Sequence, residues 1–183
     1  MAEGPVEAFY SSILNAFQAN KRMADRAVAQ VEDSKLRQPL DQNSNSIAVI
    51  MKHITGNLIS RWTDCLTTDG EKPDRNRDNE FVDSFASTEE LLAYWEKGWS
   101  VLFDQLDKLT NEDPERIIYI RGEPHTLALA LSRSLGHTCF HIGQVVQLAR
   151  FYAGENWQTL TIPRGKSEEF NRKHWGEKGN SHS

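Results

Sequence analysis

Apolar residues recur at three- and four-residue spacing in four long stretches of the chain, with no self-similar repeat. The first runs from Pro5 to about Val31 and carries Val6, Phe9, Ile13, Phe17, Ala24, Ala27 and Val31 on one face. Pro5 suits a first helical position, where no backbone N–H is needed. Pro39 and the polar run Asp41-Gln42-Asn43-Ser44-Asn45-Ser46 predict a loop that ends in an N-cap. The second stretch, about Ser46 to Leu66, carries Ile47, Met51, Ile54, Leu58, Trp62 and Leu66, and stops before Thr67-Thr68-Asp69-Gly70.

Residues 67–86 are charged and turn-rich, and the runs Asp74–Glu80 and Glu112–Arg116 read as solvated loop. Ser87-Thr88-Glu89-Glu90 matches the S-x-x-E capping box and opens the third helix, with Leu92, Trp95, Trp99, Leu102, Leu106 and Leu109. Between Asn111 and Pro124 the period changes. Ile117-Ile118-Tyr119-Ile120 followed by Gly122 predicts a short strand or hairpin. The fourth helix runs from about Thr126 to Tyr152 on Leu127, Leu131, Leu135, Thr138, Ile142, Val145, Ala149 and Tyr152, and Gly154 ends it.

Four amphipathic helices predict an all-α four-helix bundle. The connection of some 20 residues between helices 2 and 3 is long enough to run the length of the bundle as a crossover. Those two helices are then parallel and the order is up-down-down-up. Residues 1–153 are read as the bundle and 154–183 as a polar C-terminal tail, docked at its start. Trp62, Trp95 and Trp99 fall on apolar stripes and are read as core. Phe140 and Phe151 fall on the outer flank of helix 4, under the tail or in a dimer contact.

Composition narrows the partners without naming one. A chain of 183 residues fits one domain. With 21 Lys+Arg against 26 Asp+Glu, the net charge of −5 speaks against a dedicated nucleic-acid binder. Cys65 and Cys139 are far apart with no C-x-x-C pair, so neither a disulfide framework nor a thiolate metal site is encoded. No apolar run approaches the ~18 residues of a membrane span, and Met1-Ala2-Glu3-Gly4-Pro5 lacks the features of a signal peptide. These features predict a cytoplasmic protein without a membrane partner.

The six histidines carry more information. His137 and His141, four apart on helix 4, sit one turn above one another, so both imidazoles can reach one ion. Taken alone, the same spacing more often marks a hydrogen-bonded pair at a core edge. His53 lies beside the stripe of helix 2. If helices 2 and 4 adjoin, three imidazoles converge and leave positions open on an ion, as a catalytic site requires. Cys139 points away from His137. His125 reads as a cap or surface residue, and His174 and His182 as solvated.

His53 followed by His137-x-x-x-His141-Ile142-Gly143-Gln144 and Leu148-Ala149-Arg150 resembles the DinB/YfiT-like superfamily. Within it, the chain is most similar to a bacterial branch of unknown function. In that branch segments like Met51-Lys52-His53-Ile54, Thr68-Asp69-Gly70-Glu71-Lys72 and Ile162-Pro163-Arg164-Gly165-Lys166-Ser167 recur. The resemblance covers nearly the whole chain. It implies an up-down-down-up bundle, a homodimer, and a divalent metal (Zn, Ni or Fe) on His53, His137 and His141. It also implies a thiol-dependent S-transferase that joins a low-molecular-weight thiol to a small electrophile, although one relative is a maleylpyruvate isomerase. The alternative is a stress-associated bundle that binds a metal or small molecule without turnover.

Other motifs are negative or ambiguous. Thr138 stands where the glutamate of H-E-x-x-H would serve as general base. Gly165-Lys166-Ser167 lacks the glycine that a phosphate loop needs at Leu160. Arg164 and Lys166 either pin the tail or hold an anion, with pinning favoured. Asn57 and Gln144 lie one turn or less from His53 and His141. They either orient a histidine or a bound water by hydrogen bonding, or make ordinary interhelical bonds.

Overall fold

The computed structural model describes residues 4–175, apart from the side chains of His174 and Trp175. The chain is mostly helical: α1 (Pro5–Val28), α2 (Asp33–Leu36), α3 (Ile47–Trp62), α4 (Thr88–Leu106), α5 (Leu127–Ala153) and α6 (Ser167–Trp175). One antiparallel hairpin, β1 (Ile117–Ile120) and β2 (Glu123–Thr126), runs directly into α5. Predicted helices 2, 3 and 4 are therefore α3, α4 and α5.

The starts of the helices follow their capping residues. Ser46 Oγ accepts from Val49 N, Ser87 Oγ from Glu90 N and Thr126 Oγ1 from Leu129 N, each satisfying an N–H that the helix leaves free. The ends are shorter than the apolar pattern suggests. α1 stops at Val28, and the chain turns so that α2 can bury Leu36. α3 stops at Trp62 because Thr63 is extended and Asp64 takes a φ of 48°. α4 ends at Leu106, and its core face uses Leu91 where the pattern suggested Leu92, which is exposed. α6 falls within the predicted tail, whose charged Ser167–Lys173 sequence carried no long apolar stripe.

The four long helices pack around one apolar core: α1 lies against α5 and α4, and α3 against α4 and α5. Phe17, Trp62, Trp95 and Trp99 are fully buried there, as their stripes predict. Phe17 meets Trp99 edge to face, while Lys21 pairs with Glu96 and Trp95 Nε1 donates to Asp25, so α1 and α4 run antiparallel. Gly98 lets α4 approach α3: a Cβ there would meet Thr55 Cγ2 at 2.7 Å and its Cα at 3.1 Å. Trp62 Nε1 donates to Ser134 Oγ across the α3–α5 contact. The tail begins docked, since Arg26 donates to Leu160 O and Gln30 bonds both N and O of Gln158.

Two predicted loops are more than solvent-facing connections. Asp113 is buried and accepts from Thr110 N and Oγ1, so the Glu112–Arg116 run is not simply solvated. The 67–86 segment is clamped onto α3. Buried Lys52 donates to Asn79 O, Val82 O and Ser84 Oγ, and pins the 3-10 turn Asp78–Phe81 against the helix. Asp69 accepts from Arg121 N and Gly122 N, whose positive φ values of 56° and 74° make the tight turn of the hairpin. The hairpin tip is thereby tied beside the C-terminal half of α3. Among the described residues no helix is long and apolar enough to cross a membrane.

Candidate metal centre

His53 from the middle of α3 meets His137 and His141 from successive turns of α5. One ring nitrogen from each lies within 4.8 Å of the others, close enough to hold a metal ion. The three rings touch edge to face, with centroids 4.6 to 5.2 Å apart. His53 is 3% exposed, while His137 and His141 are half-buried. The site is therefore reached from the α5 side.

The outer nitrogens show which atoms are free to ligate. His53 Nδ1 lies 2.8 Å from Glu80 Oε2, and an ionised carboxylate only accepts, so Nδ1 carries a proton and Nε2 is the nitrogen turned to the other two rings. His141 Nδ1 lies 2.7 Å from Gln144 Oε1, a carbonyl acceptor, and likewise carries a proton. His53 Nε2 and His137 Nε2 are 3.2 Å apart. Two lone pairs at that distance repel unless a proton or a cation lies between them. His137 Nδ1 is buried without a partner. Three imidazoles, two of them oriented from behind, are the donor set that a divalent ion such as zinc takes.

Glu80 is itself held in place. Arg75 Nε donates to Glu80 Oε1 at 2.7 Å and its Nη2 to Oε2 at 3.0 Å, while its Nη1 reaches Glu71 Oε2 at 2.9 Å. Burial pushes the Glu80 carboxyl up, but hydrogen bonds from His53 and Arg75 outweigh it and hold it below the usual carboxylate range. Gly56 provides the space, because a Cβ there would meet Glu80 Oε1 at 2.5 Å and Cδ at 2.7 Å. Phe81 stacks on the His53 ring, with centroids 4.7 Å apart. The charged run Asp74–Glu80 is thus only partly a solvated loop: Asp74, Asn76, Arg77, Asp78 and Asn79 are exposed, while Arg75 and Glu80 turn inward. Two of its charges are buried and support a histidine.

The other sequence expectations divide. Gln144 orients His141, but Asn57 makes no hydrogen bond to His53 and only lines the adjoining cavity. Cys139 is exposed and Cys65 buried. His125 is neither a cap nor a surface residue: it is buried in β2, with Nδ1 near Glu123 O and Nε2 against Arg133. Lys166 pairs with Glu169 inside the tail. His182 lies outside the described residues, as does the side chain of His174. A larger cavity of about 600 Å³ lies behind Glu80, against Lys52 and Tyr94, and does not reach His137 or His141.

A family model described as "Protein of unknown function (DUF1572)" matches residues 6–166. The chain belongs to this family. No curated protein and no solved structure matches it. The DUF1572 match spans α1 through α5, and so includes all three histidines as well as Glu80 and Arg75. Sequence spacing could not reveal those last two. Glu80 is 27 residues from His53 and lies in a loop without periodicity. The faint signal is Phe81-Val82, an apolar pair within a charged segment.

Burial, then His141 and His53, pushes His137 down to about 4. Burial lowers His141 as well, against the hydrogen bond it donates to Gln144. In the unfolded chain both titrate near the ordinary ~6.5. Between those values the unfolded chain binds protons that the folded protein refuses. Stability is full above about pH 6.5 and is lost as pH falls toward 4. The melting temperature of metal-free protein should fall steadily over that window, and His137→Ala should flatten the slope. An unchanged slope in that variant would show that His137 is not the group responsible.

Proposed function

We propose that this chain is a divalent-metal-dependent enzyme whose ligands are His53, His137 and His141. The observation that carries the proposal is the convergence of three ring nitrogens, with Glu80 and Gln144 accepting behind two of the rings. An ion held by three imidazoles keeps positions open, and there it can polarise a carbonyl or hold a thiol as thiolate. The Glu80 carboxylate keeps His53 in the Nδ1–H tautomer and raises the basicity of its Nε2. Arg75 keeps Glu80 ionised, and Gln144 fixes the orientation of His141. Asn57, in the wall of the adjoining cavity, is placed to contact a substrate.

We also assign the chain to the DinB/YfiT-like superfamily, as an up-down-down-up four-helix bundle. Support comes from α1 against α4 and α3 against α5, both antiparallel, and from Lys52 of α3 meeting Ser84 just before α4. Phe140 and Phe151 are 65% and 63% exposed on the outer face of α5, uncovered by the described part of the tail, and this favours a homodimer. The reaction proposed is transfer of a low-molecular-weight thiol to a small electrophile. The metal-loaded protein should consume such a thiol in the presence of electrophile at least about 100-fold faster than the variant with all three histidines changed to alanine. Equal rates would rule out the transferase. Equal rates together with normal metal binding would favour a binding protein without turnover.

A further inference from the structure

A cavity of about 320 Å³ adjoins the metal centre, with His53 and His137 in its wall. Five arginines share that wall: Arg61 from the last turn of α3, Arg75 and Arg77 from the clamped loop, Arg121 from the hairpin turn and Arg133 from α5. The acidic residue beside them in the lining is Glu123. The cavity is at the lower end of the ~300–1,000 Å³ range of small-molecule sites.

The arginines are not equally committed. Arg75 is taken up by Glu80 and Glu71, and Arg121 Nε lies 3.4 Å from the same Glu71 oxygen. Among the described residues, no carboxylate forms an ion pair with Arg61, Arg77 or Arg133. Arg77 lies over the Phe81 ring, and Arg133 meets His125 Nε2. Arg61 is the most telling. It is half-buried, and its Nη1 is buried with no hydrogen-bond partner. Gly70 leaves it room, because a Cβ there would meet Arg61 Cδ and Nη1 at 3.1 Å.

Guanidinium groups do not lose their charge in proteins, and burying one away from an ion-pair partner is costly; Arg61 is the one of the three that is half-buried, while Arg77 and Arg133 are exposed. Net charge cannot explain the cluster, since the chain as a whole is at −5. A divalent ion on the three histidines adds more positive charge to the same wall. An oxyanion in the cavity would give Arg61 Nη1 a partner and could be shared with Arg133, because guanidinium forks bind carboxylate and phosphate with paired hydrogen bonds.

Resting on the three-histidine reading of the metal centre, we propose that this cavity is an anion subsite for the substrate. A small molecule bearing a carboxylate or phosphate group places that group on Arg61 and Arg133, with its reacting end beside His53 and His137. The substrate class is therefore a small organic anion. The arginines recognise the head group and orient the molecule, and they hold no proton that the reaction needs.

The test is calorimetric titration of the full chain, demetallated and zinc-loaded, with inorganic phosphate, malonate and the neutral malonamide. At least one of the two anions should bind both forms about tenfold or more tighter than malonamide, and the preferred one identifies the head group. Arg61→Gln should weaken that binding by about tenfold with zinc content unchanged. Arg133→Gln, at an exposed position, should weaken it in the same sense. Anions that bind no tighter than malonamide, or binding that survives both substitutions, would overturn the subsite. Zinc content measured on the same samples separates the two readings. A wild type that takes no zinc, yet binds anions through its arginines, contradicts the metal centre and supports the subsite. A wild type that takes zinc without arginine-dependent anion binding contradicts the subsite alone.

Discussion

Replacing Glu80 with alanine should unfold the support of the metal centre and cost about 3–5 kcal/mol, the usual range for removing one partner of a buried ion pair. Glu80 is 6% exposed, and three donors converge on its two oxygens: His53 Nδ1, Arg75 Nε and Arg75 Nη2. Truncation leaves the His53 N–H and a guanidinium edge buried and unpaired. Glu80→Gln separates stability from metal affinity. It retains the shape and one acceptor for His53, so it should fold with a smaller penalty. It removes the negative charge behind the ring, and zinc affinity should fall about 10–100-fold in competition with a chromophoric chelator. Unchanged affinity in Glu80→Gln would mean that the carboxylate braces the loop and does not tune the ligand.

Trp62→Ala should be comparably damaging, by a different mechanism. The side chain is fully buried at the end of α3, and its Nε1–H donates to Ser134 Oγ on α5 at 3.2 Å. Deleting a buried tryptophan costs about 3–5 kcal/mol through lost transfer energy and the cavity left behind. For a chain of this size that is a drop in melting temperature of roughly 6–20 °C. The bond joins the two helices that carry the histidines, so metal affinity should fall too, although no ligand is altered. Trp62→Phe, which refills much of the volume, should recover most of the stability. Full stability in Trp62→Ala would contradict the packing of α3 on α5.

Helices and core were legible because burial imprints a period. The stripes through Phe17, Trp62, Trp95 and Thr138 point inward as the spacing predicts, and Ser46, Ser87 and Thr126 cap as short polar residues do. The approach of His53 to His137 and His141 was legible for the same reason, since each sits on the flank of a stripe. What was not legible depends on contacts without a period. Glu80 and Arg75 are charges in a loop, and their burial follows from Lys52 clamping that loop to α3. Arg61 and Arg133 are far apart in sequence and share a cavity wall only because α3 packs on α5, where Trp62 donates to Ser134 beside them. His125 departs from a cap or surface role because β2 leads straight into α5 and the residue is buried there. Helices end ahead of the last apolar residue of the pattern where Asp64 takes a positive φ after α3 and where α1 is capped at Ala29.

The measurement that bears most directly on the three-histidine centre is elemental analysis of tag-free protein after zinc loading and gel filtration. Wild type should retain about one zinc per chain, and His53→Ala, His137→Ala and His141→Ala should each retain less than about a tenth of that, given folded protein by circular dichroism. Metal content that is the same in the three variants as in wild type would contradict the account.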